Sequence, residues 1–390
     1  MNPTITIQTV ATQHNQQRFL KLPWKIYQCD LAWCPPIIMD MKDRLNPHKN
    51  PFFEHADVNY FLAYRGEEVV GRIAAIIDHE HNRYHDEKTG FWGFYEAIDD
   101  IEVAHQLFGA VKNWLIQRGM DNMRGPMSFG TNDECGMLIE GFDKSPIIMM
   151  SYNPPYYIRH CETFGMIKSK DLIAFYLDVQ KSIPETMQKL SERIRKKYEP
   201  LGLVIRPFNK RKSLEEVQHI SRIYRSAWKD NWGYVPITDH EIEKMAKNLL
   251  MITEPELILF IEYEGQPVGV TGTLYNINEV THRLRKFDRW PLFIQSILQL
   301  ITIGWRIYLK PKPKFEWARM LIAGLLPEYR HLGFDIFLYV IPFINGKKLG
   351  IRHGELSWEL EDNTAINKAI NKIGGETYKK YRIWDYPLKP

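Results

Sequence analysis

The chain has 390 residues, of which 44% are hydrophobic and 25% are charged, a composition typical of a globular protein with two domains and not of a disordered chain. Lys and Arg exceed Asp and Glu by only 51 to 47, which argues against nucleic acid as a partner. The four cysteines form no Cys-x-x-Cys pair and the first residues are polar, so we expect reduced thiols, no secretory signal and a cytoplasmic protein.

The first 180 residues predict one domain that contains both strands and helices. The predicted elements are strands at 4–10, 59–64, 69–77, 90–98 and 172–179 and helices at 13–27, 103–118 and 153–164. Asp99, Asp100 and Glu102 stand where the second helix begins. Their carboxylates would stabilise the helix N-terminus themselves and exclude an anion. We therefore predict a structural or acceptor-binding role for this domain.

Three histidines in the same half, His79, His81 and His85, have the composition of a metal site. They fall in a predicted polar loop, and a mobile loop seldom holds about four zinc ligands in a fixed tetrahedron. We therefore predict that the protein binds no metal.

Residues 181–202 predict a charged helical linker, and 203–390 predict a second domain with the same order of elements. The predicted elements are strands at 203–207, 257–263, 267–274, 320–326, 354–360 and 378–385 and helices at 213–229, 238–251, 334–344 and 363–373. Ser213 with Glu216, and Thr238 with Glu241, have the spacing of capping boxes. The segments VNYFLAYRGEEVVGRIAAI and LILFIEYEGQPVGVTGTL are similar, which indicates an internal duplication.

One turn in the second domain has the pattern of an anion site. An apolar strand leads through Pro327-Glu328-Tyr329-Arg330-His331-Leu332-Gly333 into a helix. Such a turn collects backbone N–H groups and the positive end of the helix dipole at one point, where a phosphate is the natural ligand.

This turn resembles motif A of the GNAT-type N-acyltransferases, which binds the pyrophosphate of coenzyme A. Arg330 and Gly333 match the family pattern Gln/Arg-x-x-Gly-x-Gly/Ala, whereas Asp335 stands where a small residue belongs. A carboxylate there would repel the pyrophosphate unless it points away or caps the helix. The resemblance assigns CoA binding to Gly324, Leu325, Leu326, Arg330, His331, Leu332, Gly333, Phe334 and Asp335.

The resemblance also implies an α/β (α+β) fold with two GNAT-like domains, each a mixed, mostly antiparallel sheet flanked by helices. Acyl-CoA or acetyl-CoA would be the co-substrate. Amide formation also needs a group that accepts the proton of the attacking amine. Glu355, Ser357 and Glu359 share one face of a strand, and Glu359 lies nearest to its C-terminal end. We predict Glu359 as the acceptor, with Glu355 as a second candidate; the alternative is a solvent-facing polar strand face.

The segment from Asn363 to Gly374 resembles motif B of the same family. Asn363 is therefore a candidate catalytic residue, and its alternative role is that of a helix N-cap. Ile370 occupies the position of the Tyr that often protonates the departing thiolate.

An apolar insertion at 283–314 precedes the motif strand. Its uncharged part, 290–305, is shorter than the roughly 20 residues that cross a membrane. Tryptophan at both ends and flanking Lys and Arg, including Lys312, predict a helix at a membrane surface or along an acyl-chain channel. The alternative is a helix packed on the first domain. The GNAT resemblance implies that the connection containing Trp232 and Tyr234 borders the acceptor site. These aromatic residues, with Trp290, would suit an apolar or lipid-like acceptor, and ordinary packing is the alternative.

Together these features predict a tandem GNAT-like N-acyltransferase that moves an acyl group from an acyl-CoA or carrier thioester to an amine. Bacterial ceramide synthases of the GNAT type would be similar in kind, and the enzyme could be peripheral at the inner membrane face. One alternative is a FemABX-type ligase, which transfers amino acids from tRNA; the near-neutral charge counts against it. Another is a non-catalytic, membrane-associated GNAT scaffold, which Asp335 and Ile370 favour.

Overall fold

The structure, a computed structural model, describes residues 4–311 and 314–389, apart from the side chain of Leu249. The strands are β1 Ile5–Thr9, β2 Ala56–Arg65, β3 Glu68–Asp78, β4 Thr89–Ala97, β5 Asn122–Gly125, β6 Met127–Ser128, β7 Glu134–Cys135, β8 Met137–Glu140, β9 Ile167–Asp178, β10 Val204–Pro207, β11 Ile258–Tyr263, β12 Gln266–Tyr275, β13 Trp317–Leu325, β14 His353–Leu360 and β15 Glu376–Pro387. The α-helices are α1 Gln13–Ile26, α2 Ile38–Arg44, α3 His79–His85, α4 Ile101–Ile116, α5 Tyr157–Phe164, α6 Glu185–Tyr198, α7 Ser213–Ala227, α8 Asp239–Leu250, α9 Asn278–Arg283, α10 Leu292–Tyr308, α11 Asp335–Lys348 and α12 Thr364–Lys372.

The chain folds into two compact units that are discontinuous in sequence. The first unit contains Met1–Leu172, Val280–Leu300 and Lys379–Pro390, and the second contains Ile173–Glu279 and Ile301–Tyr378. Helix α6, within the predicted linker 181–202, belongs to the second unit, and part of the predicted insertion 283–314 belongs to the first. The sequence ranges of the two GNAT-like halves, 1–180 and 203–390, stay a prediction about the repeat.

Both units contain the same order of strands. In the first unit β1, β2, β3 and β4 are antiparallel neighbours, and β4 then pairs in parallel with β5. In the second unit β10, β11, β12 and β13 are antiparallel, and β13 pairs in parallel with β14. This repeated arrangement agrees with the internal duplication that the sequence indicates.

In each unit the parallel pair is joined only at its beginning. Pairing of β4 with β5 ends at Phe91 and Arg124, although β4 continues to Ala97. Pairing of β13 with β14 ends at Met320 and Leu356, and both strands continue beyond that point. The strands therefore diverge, and the gap between them is the natural place for a ligand.

Each unit is completed by a strand from the other half of the sequence. In the first unit β5 pairs antiparallel with the last part of β15, from Trp384 to Pro387. In the second unit β9 lies next to β14, and the N–H of Val179 donates to the carbonyl of Arg352 at 2.9 Å. Neither half of the sequence therefore supplies all the strands of one unit.

The two predicted capping boxes have different outcomes. Thr238 Oγ1 accepts from the N–H of Glu241 at 3.2 Å, and the Glu241 carboxylate accepts from the N–H of Thr238 at 2.9 Å, so this box is confirmed. The other was wrong: Ser213 lies inside α7, and the preceding residue makes no side-chain cap. The Glu216 carboxylate is instead buried and accepts two hydrogen bonds from Arg206, at 2.8 and 3.0 Å.

The histidines that were predicted to lie in a loop lie on helix α3. The Asp78 carboxylate begins this helix by accepting from the N–H groups of Glu80 and His81, at 3.0 and 3.2 Å. Burial lowers the pKa of His81 to about 4. In the described part of the chain, no three His, Cys, Asp or Glu side chains are placed to hold a metal ion.

Candidate active site

The predicted anion-binding turn lies at the end of β13. Leu325 and Leu326 are buried, and a 3₁₀ turn from Pro327 to Leu332 follows. Gly333 has a φ of 77°, which an L-residue with a side chain rarely adopts, and α11 begins two residues later. The N–H groups of Ile336 and Phe337 at this helix start donate to the carbonyls of Gly333 and Phe334, at 3.4 and 3.1 Å, so a ligand would have to compete with these short-range bonds.

Asp335 provides a carboxylate at this helix start. Burial raises the pKa of Asp335, whereas the backbone N–H groups of Asp335 and Ile336 stabilise its ionised form and oppose that change. Asp335 is nevertheless exposed and is the first residue of α11, so its carboxylate lies at the positive end of the helix dipole. A pyrophosphate bound here would be repelled by the negative charge of Asp335.

Packing contacts account for the presence of arginine at position 330 and of glycine at position 324. The Arg330 guanidinium donates to the carbonyl of Ala227 at 3.0 Å, which joins the C-terminus of α7 to the turn. A Cβ on Gly324 would lie 2.2 Å from the indole ring of Trp228. The position of the Trp228 ring therefore requires a glycine at position 324 of β13, whether or not CoA binds.

The remaining predicted CoA-binding residues differ in exposure. His331 is exposed and Leu332 is half-buried. Phe334 is fully buried, and its ring centroid lies 5.1 Å from that of Tyr198 and 5.3 Å from that of Tyr263. Phe334 can therefore contribute to a ligand site only through its backbone. Binding of CoA by these residues stays a prediction.

Glu355 is the centre of a buried hydrogen-bond network. It is completely buried on β14 and accepts from the hydroxyls of Ser357 and Tyr378. The Arg319 guanidinium donates to the Ser357 hydroxyl at 2.9 Å and to its carbonyl at 3.1 Å. This network fixes β14 beside β13 at the point where the two strands diverge, which gives Glu355 a positioning role.

Glu359 lies on β14 beyond that point and is only partly buried. Burial raises the pKa of Glu359 from 4.5 to about 8. Burial also raises the pKa of the Tyr339 phenol on α11, and the charges of Glu359 and Asp335 raise it further. A partly desolvated carboxylate therefore lies near the motif helix, with a pKa suited to accepting a proton near neutral pH.

Asn363 occupies the N-cap position of α12, as the alternative reading of this residue predicted. Its side chain makes no capping hydrogen bond, however. The structure therefore agrees with the predicted N-cap position and not with a capping bond from this side chain. Ile370 is buried in the core. A catalytic role for Asn363 is untested by these contacts.

The predicted substrate residues belong to different units. Tyr234 is buried in the second unit, 5.7 Å from the Tyr224 ring, which stacks on Trp228 at 5.1 Å. Trp232, in the same unit, is half-buried. Trp290 is 45% exposed and belongs to the first unit. Tyr234 thus packs in an aromatic cluster beside β13.

At the corresponding position in the first unit, the start of α4, a side chain of the protein caps the backbone N–H groups. The Asp100 carboxylate accepts from the N–H groups of Glu102 and Val103, at 2.9 and 3.3 Å, and it forms an ion pair with Arg65 at 2.6 Å. This arrangement is the one that the three carboxylates at the start of the helix predicted.

The gap between β4 and β5 contains a cavity of about 90 Å³ that sequence reasoning missed. Glu96 lines it and accepts from the hydroxyls of Tyr27 and Tyr157, both at 2.8 Å, and Arg72 lies 3.7 Å away. Burial raises the pKa of Glu96 to about 7. The sequence feature that could have indicated this cavity is a single Glu at the end of the otherwise uncharged strand Thr89–Ala97.

Three residues of the second unit were also missed: Arg319, Tyr339 and Tyr378. Arg319 could have been noticed as one charge in the apolar strand Trp317–Leu325. Tyr339 lies four residues after Asp335 and therefore on the same side of α11. Tyr378 gave no local signal, because it meets Glu355 only through tertiary pairing.

The chain is similar to two curated proteins along almost its whole length. It is 33% identical over 387 residues to protein YghO of Escherichia coli K12, which covers 97% of this chain and 94% of that protein. It is 32% identical over 394 residues to a bacterial ceramide synthase of Caulobacter vibrioides, which covers 99% of this chain and 98% of that protein. No family model matches the chain.

Solved structures show the same fold at low sequence identity. A tandem GNAT protein from the clavulanic acid biosynthesis pathway matches with a TM-score of 0.58 and 10% identity over 99% of both chains. A GCN5-related N-acetyltransferase from Sphaerobacter thermophilus matches with a TM-score of 0.52 and 11% identity over 100% of this chain and 98% of that one. The predicted superfamily and fold class are confirmed. The chain belongs to the GNAT-type N-acyltransferase superfamily, as a tandem-domain member of the family that includes YghO and the bacterial ceramide synthase of C. vibrioides.

Proposed function

We propose that the protein transfers an acyl group from an acyl-CoA thioester to the amine of a lipid-like acceptor. The observation that carries this proposal is the partly buried Glu359 carboxylate, whose pKa burial raises to about 8 and which lies close enough to Tyr339 of α11 to raise the pKa of that phenol. The name of the C. vibrioides relative, a ceramide synthase, favours a long-chain amino alcohol as the acceptor.

In this mechanism the amine attacks the thioester carbonyl while Glu359 takes a proton from its nitrogen. The new C–N bond forms, the C–S bond breaks, and the CoA thiolate leaves. Tyr339 is a candidate for returning a proton to that thiolate, because burial keeps its phenol neutral and Glu359 is close enough to raise its pKa. The pyrophosphate of the donor would bind at the start of α11.

Asp335 gives a direct test of that donor site. Its carboxylate and the pyrophosphate carry like charges, and both would lie at the start of α11. Asp335→Asn removes the charge at nearly constant shape, so we expect acyl-CoA to bind about two- to tenfold more tightly. Asp143→Asn is the matched control, because this carboxylate lies at an exposed position in the first unit.

The measurement is isothermal titration of the purified chain with acetyl-CoA and, below its micellar concentration, with a long-chain acyl-CoA. Tighter binding by Asp335→Asn with no change in Asp143→Asn supports the pyrophosphate site. If the unchanged protein binds neither thioester, the proposed donor is wrong. If both thioesters bind and Asp335→Asn leaves both affinities unchanged, the pyrophosphate lies elsewhere.

The acceptor is tested by incubating the protein with the bound donor and either a long-chain amino alcohol or a short polar amine. Release of the CoA thiol and mass spectrometry of the extracted lipid report transfer. We expect product only with the long-chain acceptor. Donor binding without turnover of any amine would instead favour the non-catalytic scaffold.

A further inference from the structure

Helix α10 presents its apolar side chains outward. Six large apolar or aromatic residues on this helix expose between 47% and 71% of their surface. They are Phe293, Ile297, Leu300, Ile301, Trp305 and Tyr308, and we call them the α10 face. Their helical spacing places them on one side. A surface helix ordinarily turns polar residues to solvent, so the polarity of α10 is reversed.

The inward side of α10 contains its polar residues. Gln295 is buried, accepts from the Trp24 indole N–H at 3.2 Å and donates to the carbonyl of Trp290 at 2.8 Å. Gln299 is also buried, accepts from the N–H of Ile38 at 3.0 Å and donates to the carbonyl of Pro36 at 3.1 Å.

Near the end of the helix, buried Arg306 forms an ion pair with Glu279 at 2.5 Å and donates to the carbonyl of Lys314. Rotation of α10 to hide its apolar face would break these bonds and leave buried polar groups without partners. The outward orientation of the apolar face is therefore fixed by buried hydrogen bonds.

The length of the helices and the charge of the α10 face limit the kind of partner that this face can bind. Among the described residues, no helix combines the length and the apolar character needed to span a membrane. The stretch from Leu292 to Tyr308 contains no acidic residue, and its one basic residue, Arg306, is turned inward. The α10 face is consequently uncharged along its length.

Basic residues flank the α10 face on its N-terminal side. Arg283, Lys286 and Arg289 are exposed there. Lys312, on the C-terminal side, lies outside the described residues. Aromatic residues occur near both ends of the helix, Trp290 before it and Trp305 and Tyr308 in its last turns. A helix with an apolar face, aromatic ends and exposed cations matches the requirements of an anionic lipid surface.

We propose that the α10 face docks the protein onto an anionic membrane surface, with α10 lying in the plane of the interface. A second copy of the chain fits this face less well. A parallel pair of α10 helices would bring the two cationic N-terminal flanks together, and in either orientation the face provides no acidic residue that could pair with the exposed cations of another copy. The proposal does not depend on acyl transfer, so a failure of either can be recognised separately.

The test uses the full chain and sedimentation with vesicles of phosphatidylcholine alone or mixed with phosphatidylglycerol. We expect binding at least about tenfold stronger to the mixed vesicles, with loss at high salt. Ile301→Glu should weaken binding at least about tenfold, because a charge would enter the apolar interface. Leu214→Glu is the matched control, since Leu214 is 72% exposed on α7 and the charge change is the same.

A triple variant, Arg283→Gln, Lys286→Gln and Arg289→Gln, should lose the preference for phosphatidylglycerol and keep its circular dichroism. Absence of sedimentation with excess mixed vesicles would overturn the proposal. Equal binding by Ile301→Glu and Leu214→Glu would also overturn it. So would a dimer that binds no vesicles and that Ile301→Glu converts to a monomer, since the α10 face would then join two copies.

Discussion

Replacement of Glu359 by Gln should make the protein more stable at alkaline pH and much less active. In the fold, burial raises the pKa of this carboxyl to about 8 from an ordinary value of 4.5. Below pH 4.5 the group is protonated in both the folded and the unfolded protein and has no effect. Between the two pKa values only the unfolded chain loses the proton, so folding stability falls as pH rises.

The size of this stability change follows from the difference between the pKa values of Glu359 in the folded and the unfolded protein. A difference of about 3.5 corresponds to roughly 5 kcal/mol, at about 1.4 kcal/mol for each pH unit. Because the side chain is partly exposed, we expect about half of this, ~2–3 kcal/mol. The loss is complete above about pH 8. Glu359→Gln has no charge to bury, so its free energy of unfolding should exceed that of the unchanged protein by this amount at pH 9.

Urea unfolding at pH 5, 7 and 9 measures the difference. Glu376→Gln, at an exposed position on β15, is the control and should follow the unchanged protein at all three values. In the same variants, kcat/KM for acyl transfer should fall about 10²- to 10⁴-fold only for Glu359→Gln. A stability difference that does not grow with pH would refute the desolvated state of Glu359. Full activity of Glu359→Gln would refute its role as proton acceptor.

Two further substitutions test the surroundings of the site. Gly324→Ala places a Cβ 2.2 Å from the Trp228 ring, so we expect a loss of about 1–3 kcal/mol in urea unfolding. Gly109→Ala is its control: beyond its own stretch of helix, no atom of the described residues lies within 4 Å of the new Cβ, and the helical position should gain stability or stay unchanged. Tyr378→Phe removes the hydroxyl that donates to buried Glu355, and it should cost about 1–3 kcal/mol. Unchanged stability in Tyr378→Phe would show that the Glu355 network does not hold β14.

Much of the architecture could be predicted from local patterns. The hairpin between β11 and β12 turns at Glu264 and Gly265, which have φ values of 52° and 77°, and the sequence Glu-Gly-Gln marks that turn. The box of Thr238 and Glu241 depends on atoms within four residues, and it was predicted correctly. The similar box at Ser213 failed because distant Arg206 binds the carboxylate of Glu216.

The sequence by itself indicated most of the long strands and helices, the duplication and the glycine-bearing turn before α11, because backbone sterics and side-chain periodicity act over a few residues. The short elements, among them α2 and β5, were missed, because so few residues show no clear periodicity. Only the tertiary structure decided which strand completes each unit, since strand pairing joins residues that are far apart in the chain. It also decided that Glu355 is held in a buried network while Glu359 stays partly exposed on the same strand. Both are glutamates in one short stretch, and their different environments come from contacts such as that of Glu355 with Tyr378, 23 residues away.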